Sequence, residues 1–153
     1  MKIIEATSAA QIQTAAALFR EYQEFLSVDL CFQGFEDELA NLPGKYAQPS
    51  GAILLAEVQE QIVGCVAVRP IEGQICEMKR LYVKPSAQGQ SAGRLLAEAI
   101  IKKAKLLGYT KMQLDTLKRL DTAISLYLKL GFTKTDAYYP NPLSEVVFLE
   151  LEL

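Results

Sequence analysis

Leu81-Tyr82-Val83-Lys84-Pro85-Ser86-Ala87-Gln88-Gly89-Gln90-Ser91-Ala92-Gly93-Arg94 is a strand-like segment that passes through a turn of small residues directly into a helix. A turn of that build presents several backbone N–H groups together. Unpaired amides at a helix N-terminus, with the positive end of the helix dipole behind them, favour an anion such as a pyrophosphate, and Gly89 and Gly93 permit close approach of the backbone. Alone, a glycine-containing turn after a strand is a weak signal, and the rest of the chain has to supply its context.

Upstream, Ala52–Val58, Gln61–Arg69 and Gln74–Val83 are strand-like runs rich in Ile, Val and Leu. The short connectors Gln59-Glu60 and Pro70-Ile71-Glu72-Gly73 make them an antiparallel meander. Before them, Lys2–Ala6 reads as a short strand, and Ser8 with Gln11 forms a capping-box signal. Ile12, Ala15, Ala16, Phe19, Tyr22 and Leu26 then recur at helical spacing, which predicts a helix to about Val28. Gly34 to Leu42 reads as a second short helix, and Pro43 to Gly51 as a breaker-rich loop of the kind that forms a substrate lid when it lies near a site.

Downstream, Ala92, Leu95, Leu96, Ala99, Ile100 and Leu107 mark one apolar helical stripe, with Gly108 placed to end it. Lys111–Thr116 is a short strand, and Asp121 is the expected N-cap of a helix through Leu130, stopped by Gly131. Phe132–Thr135 and Glu145–Leu151 close the chain as two further strands. The order β, α, α, β, β, β, α, β, α, β, β is an α/β arrangement on a mixed sheet, in a single domain spanning residues 1–153.

Composition excludes several classes of function. With 16 Lys and Arg against 18 Asp and Glu, and no long block of either sign, nothing points to nucleic acid or an anionic membrane surface as partner. The absence of histidine removes Ser-His-Asp and Cys-His catalysis and imidazole metal sites, and no metal is expected. Cys31, Cys65 and Cys76 lack metal-ligand spacing and read as buried free thiols of a reducing compartment. With no apolar signal core in Met1 to Ala10, a cytoplasmic protein is expected.

Two motifs give the glycine turn its context. Gln88-Gly89-Gln90-Ser91-Ala92-Gly93 resembles the pyrophosphate pattern of the GCN5-related N-acetyltransferase (GNAT) family, with Ser91 where the family usually has its middle glycine. Ala123-Ile124-Ser125-Leu126-Tyr127-Leu128-Lys129-Leu130-Gly131-Phe132 resembles the family's helix-to-strand signature carrying its tyrosine. The resemblance runs from about Ala52 to the end, and departs again at Leu120, where many members carry an asparagine that touches the pantetheine arm.

The resemblance implies a GNAT-like fold: a mixed, mostly antiparallel sheet of about seven strands, helices on both faces, and strands 4 and 5 splayed apart. It implies acetyl-CoA as cosubstrate, held by Leu81, Tyr82 and Val83 of the fourth strand and by Gln88, Gly89, Gln90, Ser91, Ala92, Gly93 and Arg94 of the turn. It implies transfer of the acetyl group to an amine of a small molecule or peptide.

An amine attacks only when neutral, so a carboxylate that accepts its proton, directly or through water, is the natural helper. Glu77 on the fourth strand is the first candidate and Asp115 on the fifth the alternative. The resemblance implies that Tyr127 protonates or hydrogen-bonds the departing thiolate, and a backbone N–H near Leu81 is the expected donor to the oxyanion. Cys76 has no histidine to activate it, so direct transfer is favoured over an acetyl-cysteine. Tyr22, Arg69, Arg80, Tyr138 and Tyr139 are the expected acceptor-binding residues, the arginines pointing to a carboxylate-bearing acceptor. The Ser91 and Leu120 departures leave one alternative, a non-catalytic acyl-CoA sensor or partner-binding domain. The final strands offer an edge for a homodimer.

Overall fold

The computed structural model describes residues 1–27 and 34–153. Seven strands form one sheet: β1 (Lys2–Glu5), β2 (Ala52–Val58), β3 (Gln61–Glu72), β4 (Ile75–Val83), β5 (Lys111–Leu117), β6 (Thr133–Thr135) and β7 (Val146–Glu152). Among the described residues four α-helices join them: α1 (Ala9–Leu26), α2 (Phe35–Ala40), α3 (Ala92–Leu106) and α4 (Asp121–Lys129). The element order is the one the sequence predicts. Cys31 and the expected end of the first helix at Val28 lie outside the described residues.

The strand order is β1-β2-β3-β4-β5-β7-β6, and every described pairing is antiparallel except β4 with β5. Parallel neighbours need a crossover, and α3 supplies it. The sheet is apolar on both sides because both are covered. On β2, Ala52, Leu54 and Ala56 enter the core under α3 and α4, while Ile53 and Leu55 enter the core under α1 and α2. Gly64 on β3 is a packing requirement, since a Cβ there would lie 2.8 Å from the Tyr82 carbonyl oxygen and 3.0 Å from Leu96 Cδ1.

Helix α1 starts on the expected capping box: Ser8 Oγ accepts from the Gln11 N–H at 3.2 Å, and Gln11 Oε1 accepts from the Ser8 N–H at 3.0 Å. Three local expectations change. Strand β3 extends to Glu72, because Gly73 at φ 51° closes a two-residue turn and Pro70 joins the ladder opposite Cys76. Helix α4 starts one residue early: the Leu120 carbonyl accepts from the Ile124 N–H at 3.0 Å, making Leu120 the cap and leaving Asp121 in the first turn, where its charge suits the helix dipole. On α3 the buried stripe is Ala92, Leu96, Ala97, Ile100 and Ala104, while Leu95 faces outward.

Two backbone features shape the site. Strands β4 and β5 pair only at Ile75 with Lys111, Cys76 with Met112 and Glu77 with Gln113. Beyond that β4 stays with β3, and β5 stays with β7 as far as Leu117 opposite Val146, so the two strands part. In addition β4 carries a bulge: Lys79 faces Ala67 and Tyr82 faces Cys65, one residue too many on β4, with Arg80 at φ 61°.

Candidate functional site

The gap between β4 and β5 is lined by Met78, Lys79, Arg80 and Leu81 from one strand and by Leu114, Asp115, Thr116 and Leu117 from the other. Tyr22 and Leu26 of α1, Tyr127 of α4 and Leu143 of the loop before β7 complete its walls. Side-chain alternation puts Glu77 and Lys79 of β4 and Asp115 of β5 on the α1/α2 side, while Tyr127 belongs to the core on the opposite side.

The charges on that side are buried in paired form. Glu77, 1% exposed, accepts from Arg69 Nε at 2.8 Å and from the Tyr138 hydroxyl at 2.6 Å. Burial alone would raise the Glu77 carboxyl, but Lys79 and Arg69, with the Tyr138 hydrogen bond, hold it below the ordinary value. Asp115 accepts from the Tyr139 hydroxyl at 2.8 Å, and Asn141 Nδ2 donates to that same hydroxyl at 2.7 Å. Lys79 Nζ stands 4.0 Å from Asp115 Oδ1. Arg80 forks onto Glu38 of α2 at 2.9 and 3.0 Å and lies over the Phe35 ring, which ties α2 to the bulge.

Tyr127 is 6% exposed and packs edge-to-face on Phe132, with ring centroids 5.7 Å apart. Burial, reinforced by Tyr22 and Asp115, pushes its hydroxyl well above the usual range, so it stays protonated at any working pH. Burial likewise pushes the Cys65 thiol up and the Cys76 thiol up to about 12. Both cysteines are free, and neither is a thiolate nucleophile at neutral pH.

At the far end of β4 the chain forms a single 3-10 turn, Pro85–Ala87, and then the turn into α3. Gly89 has φ 84° and Ser91 φ 64°, so Ser91 takes the left-handed conformation natural to glycine. Gln88 Nε2 donates to the Val83 carbonyl at 3.4 Å. Gln88, Gly89, Gln90, Ser91 and Arg94 are exposed, and no side chain caps the N-terminus of α3.

Of the residues expected from the sequence, Asp115, Tyr127, Tyr22, Arg80 and Leu81 line the gap, Glu77, Arg69, Tyr138 and Tyr139 stand behind it and reach it only through their hydrogen bonds to one another and to Asp115, and the glycine turn lies beyond the head of β4. The Tyr82 ring instead turns to the α1 side, where it meets Tyr22 and Phe25 at 6.1 and 6.0 Å. Lys79, Asn141 and Glu38 were not singled out from the sequence. Lys79 was readable, since it stands two residues after Glu77 on a strand and so shares its face. Asn141 and Glu38 act through tertiary contacts that carry no local signal.

Residues 15–132 match the sequence profile of the Acetyltransferase (GNAT) family. The chain belongs to this family. An uncharacterised N-acetyltransferase of Schizosaccharomyces pombe is 46% identical over 138 residues, covering 89% of this chain and 85% of its relative. A GNAT acetyltransferase of Elizabethkingia anophelis, solved with acetyl-CoA bound, is 30% identical with a TM-score of 0.59, over 68% of this chain and 77% of that one. The PaiA N-acetyltransferase of Thermoplasma acidophilum, solved with coenzyme A, shares the fold with a TM-score of 0.76 over the whole of both chains at 19% identity. As a GNAT protein the chain has the expected architecture of a mixed seven-stranded sheet opened between its fourth and fifth strands.

Proposed function

We propose that this GNAT protein takes an acetyl group from acetyl-CoA and passes it directly to an amine in the gap between β4 and β5. The observation that carries the reading is the coincidence, at one opening in the sheet, of an unpaired strand edge, a carboxylate and a tyrosine that stays protonated. Among the described residues nothing pairs with the β5-facing edge of β4 beyond Glu77, which leaves room for an extended arm beside Leu81 and Val83. The uncapped N-terminus of α3, with two left-handed residues before it, fits a pyrophosphate.

Asp115 lines the gap, whereas Glu77 is sealed beneath it by Arg69 and Tyr138. In this reading Asp115 receives the proton of the incoming ammonium, and Tyr139 with Asn141 fixes its orientation. Glu77 is a positioning residue that holds Arg69 and Tyr138. The Tyr127 hydroxyl donates to the departing sulfur, and the bulge at Arg80 turns a backbone N–H toward the carbonyl oxygen being attacked. The two inert thiols favour direct transfer over an acetyl-cysteine.

With Asp115 and Tyr127 both on the gap, catalysis is favoured over a sensor that only binds. Tyr22 and Arg80 line the acceptor side, and the Arg80 guanidinium, though forked onto Glu38, keeps positive charge at that wall, which suits an amine that also carries a carboxylate. The balanced charge fits a cytoplasmic protein, and the open edge at β6 fits a homodimer, which sedimentation would report as twice the chain mass. Among the described residues no helix is long and apolar enough to cross a membrane.

The test is a panel of amino acids, polyamines and peptide amines, scored by acetyl-CoA-dependent release of free thiol. The reading expects turnover with at least one carboxylate-bearing amine and its loss in Tyr127→Phe. Turnover unchanged by that substitution would remove Tyr127 from the chemistry.

A further inference from the structure

Lys79 is a buried amine in the opening where, on the reading above, an acetyl thioester lies. It is 6% exposed, it lines the gap together with Asp115 and Tyr127, and its Nζ stands 4.0 Å from Asp115 Oδ1. Lys2, Lys45, Lys102, Lys105, Lys118, Lys129 and Lys134 are exposed, and none of them lines the gap. Among the described residues Lys79 is the lysine that lines the same gap as both groups assigned to proton transfer.

We infer that Lys79 is itself an acetyl acceptor: with acetyl-CoA bound and no amine substrate in the gap, the protein acetylates its own Lys79 side chain. This rests on the acetyl-CoA reading. The neutral Nζ attacks the thioester carbon, the new C–N bond forms and the C–S bond breaks. The proton leaving Nζ goes to Asp115 and from there through water to the departing thiolate, which the Tyr127 hydroxyl meanwhile stabilises by donating a hydrogen bond, so both side chains end as they began. The products are N-acetyl-lysine and coenzyme A, with no further reactant.

The surroundings keep this amine reactive. Arg69 comes from β3, Glu77 and Arg80 from β4, Asp115 from β5 and Tyr22 from α1, while Tyr138 and Tyr139 arrive from the segment before β7. Burial, then Arg80, lowers the amine while Glu77 and Asp115 work the other way, and the result is about 8. An exposed lysine stays charged until about pH 10. The acetylated side chain has no charge, so the modification removes the cation beside Asp115 and occupies the gap. The protein would thus inactivate itself when acetyl-CoA is present and acceptor is not.

The test needs no acceptor. The purified protein is incubated with acetyl-CoA alone, its intact mass followed, and the modified peptide mapped. The expected result is one acetyl group per chain, on Lys79, formed at a rate that rises through pH 8 and then levels off. Lys79→Arg is expected to bind acetyl-CoA by calorimetry yet gain no acetyl group there, and Gly89→Glu to remain unmodified. Acetyl groups on exposed lysines alone, equally fast in Gly89→Glu, would overturn the inference. So would calorimetric binding of acetyl-CoA with no gain in mass. Failure of acetyl-CoA to bind at all would overturn both this inference and the reading beneath it.

Discussion

Asp115 and Glu77 share one face of the sheet, yet their neighbours assign them different work. Glu77 is fixed by Arg69 and Tyr138 and held ionised, which makes it a poor proton acceptor and a strong structural anchor. Asp115 meets the gap. Asp115→Asn is therefore expected to lower kcat by about 10²–10⁴-fold, the usual weight of a positioned base, with acetyl-CoA affinity unchanged. Glu77→Ala is expected to lower unfolding stability by about 3 kcal/mol in urea titrations, because it strands a partly buried guanidinium. Preserved turnover in Asp115→Asn alongside its loss in Glu77→Gln would exchange the two roles. From the sequence both carboxylates were visible as candidates with Glu77 ranked first, and the proposed roles reverse that order. The reversal depends on Tyr138 and Tyr139 reaching back across β7, and those contacts are set by the tertiary fold.

Turns and bulges decide where the elements diverge, and they differ in how clearly the sequence announces them. The β2–β3 hairpin was legible from two apolar runs and a two-residue connector. Its backbone is less comfortable than the connector suggests, because Gln59 and Glu60 sit at φ 49° and 65°. Both central residues of such a turn want Asn-Gly, so the double change Gln59→Asn with Glu60→Gly is expected to raise stability by roughly 1–2 kcal/mol, read as a higher urea midpoint at constant slope. An unchanged midpoint would show that the turn carries no strain. The Ser91 departure is explained at the same scale: the turn keeps its left-handed residue despite the Cβ. The bulge at Arg80 was not legible. It is a mismatch in register between β3 and β4, fixed by pairing across the sheet and by the Arg80–Glu38 fork, and no local pattern in β4 marks it. Asp121 misled for a simpler reason, since a good capping residue one position inside a helix looks the same in sequence as one at the cap.

For the molecule as a whole, burial of charges and phenols sets the pH range of stability. Glu77 has a folded value below its unfolded one, so its contribution is present above the ordinary carboxylate range and is lost as pH falls through the lowered value. Tyr127 and Tyr138 have folded values above theirs, so their contribution is present below about pH 10 and is lost as pH rises further. Denaturation midpoints measured across pH are expected to form a plateau that falls on both sides, and Glu77→Gln is expected to flatten the acid side. An acid limb unchanged by that substitution would contradict the assignment. The central claim, that the opening between β4 and β5 with the turn at Gly89 is an acetyl-CoA site, is tested most directly by calorimetric titration with acetyl-CoA. The account predicts micromolar binding by the native chain, retention in Gly89→Asn, which tolerates a positive φ, and loss in Gly89→Glu, which sets a carboxylate where the pyrophosphate belongs. No binding by the native chain, or equal binding by Gly89→Glu, would contradict it.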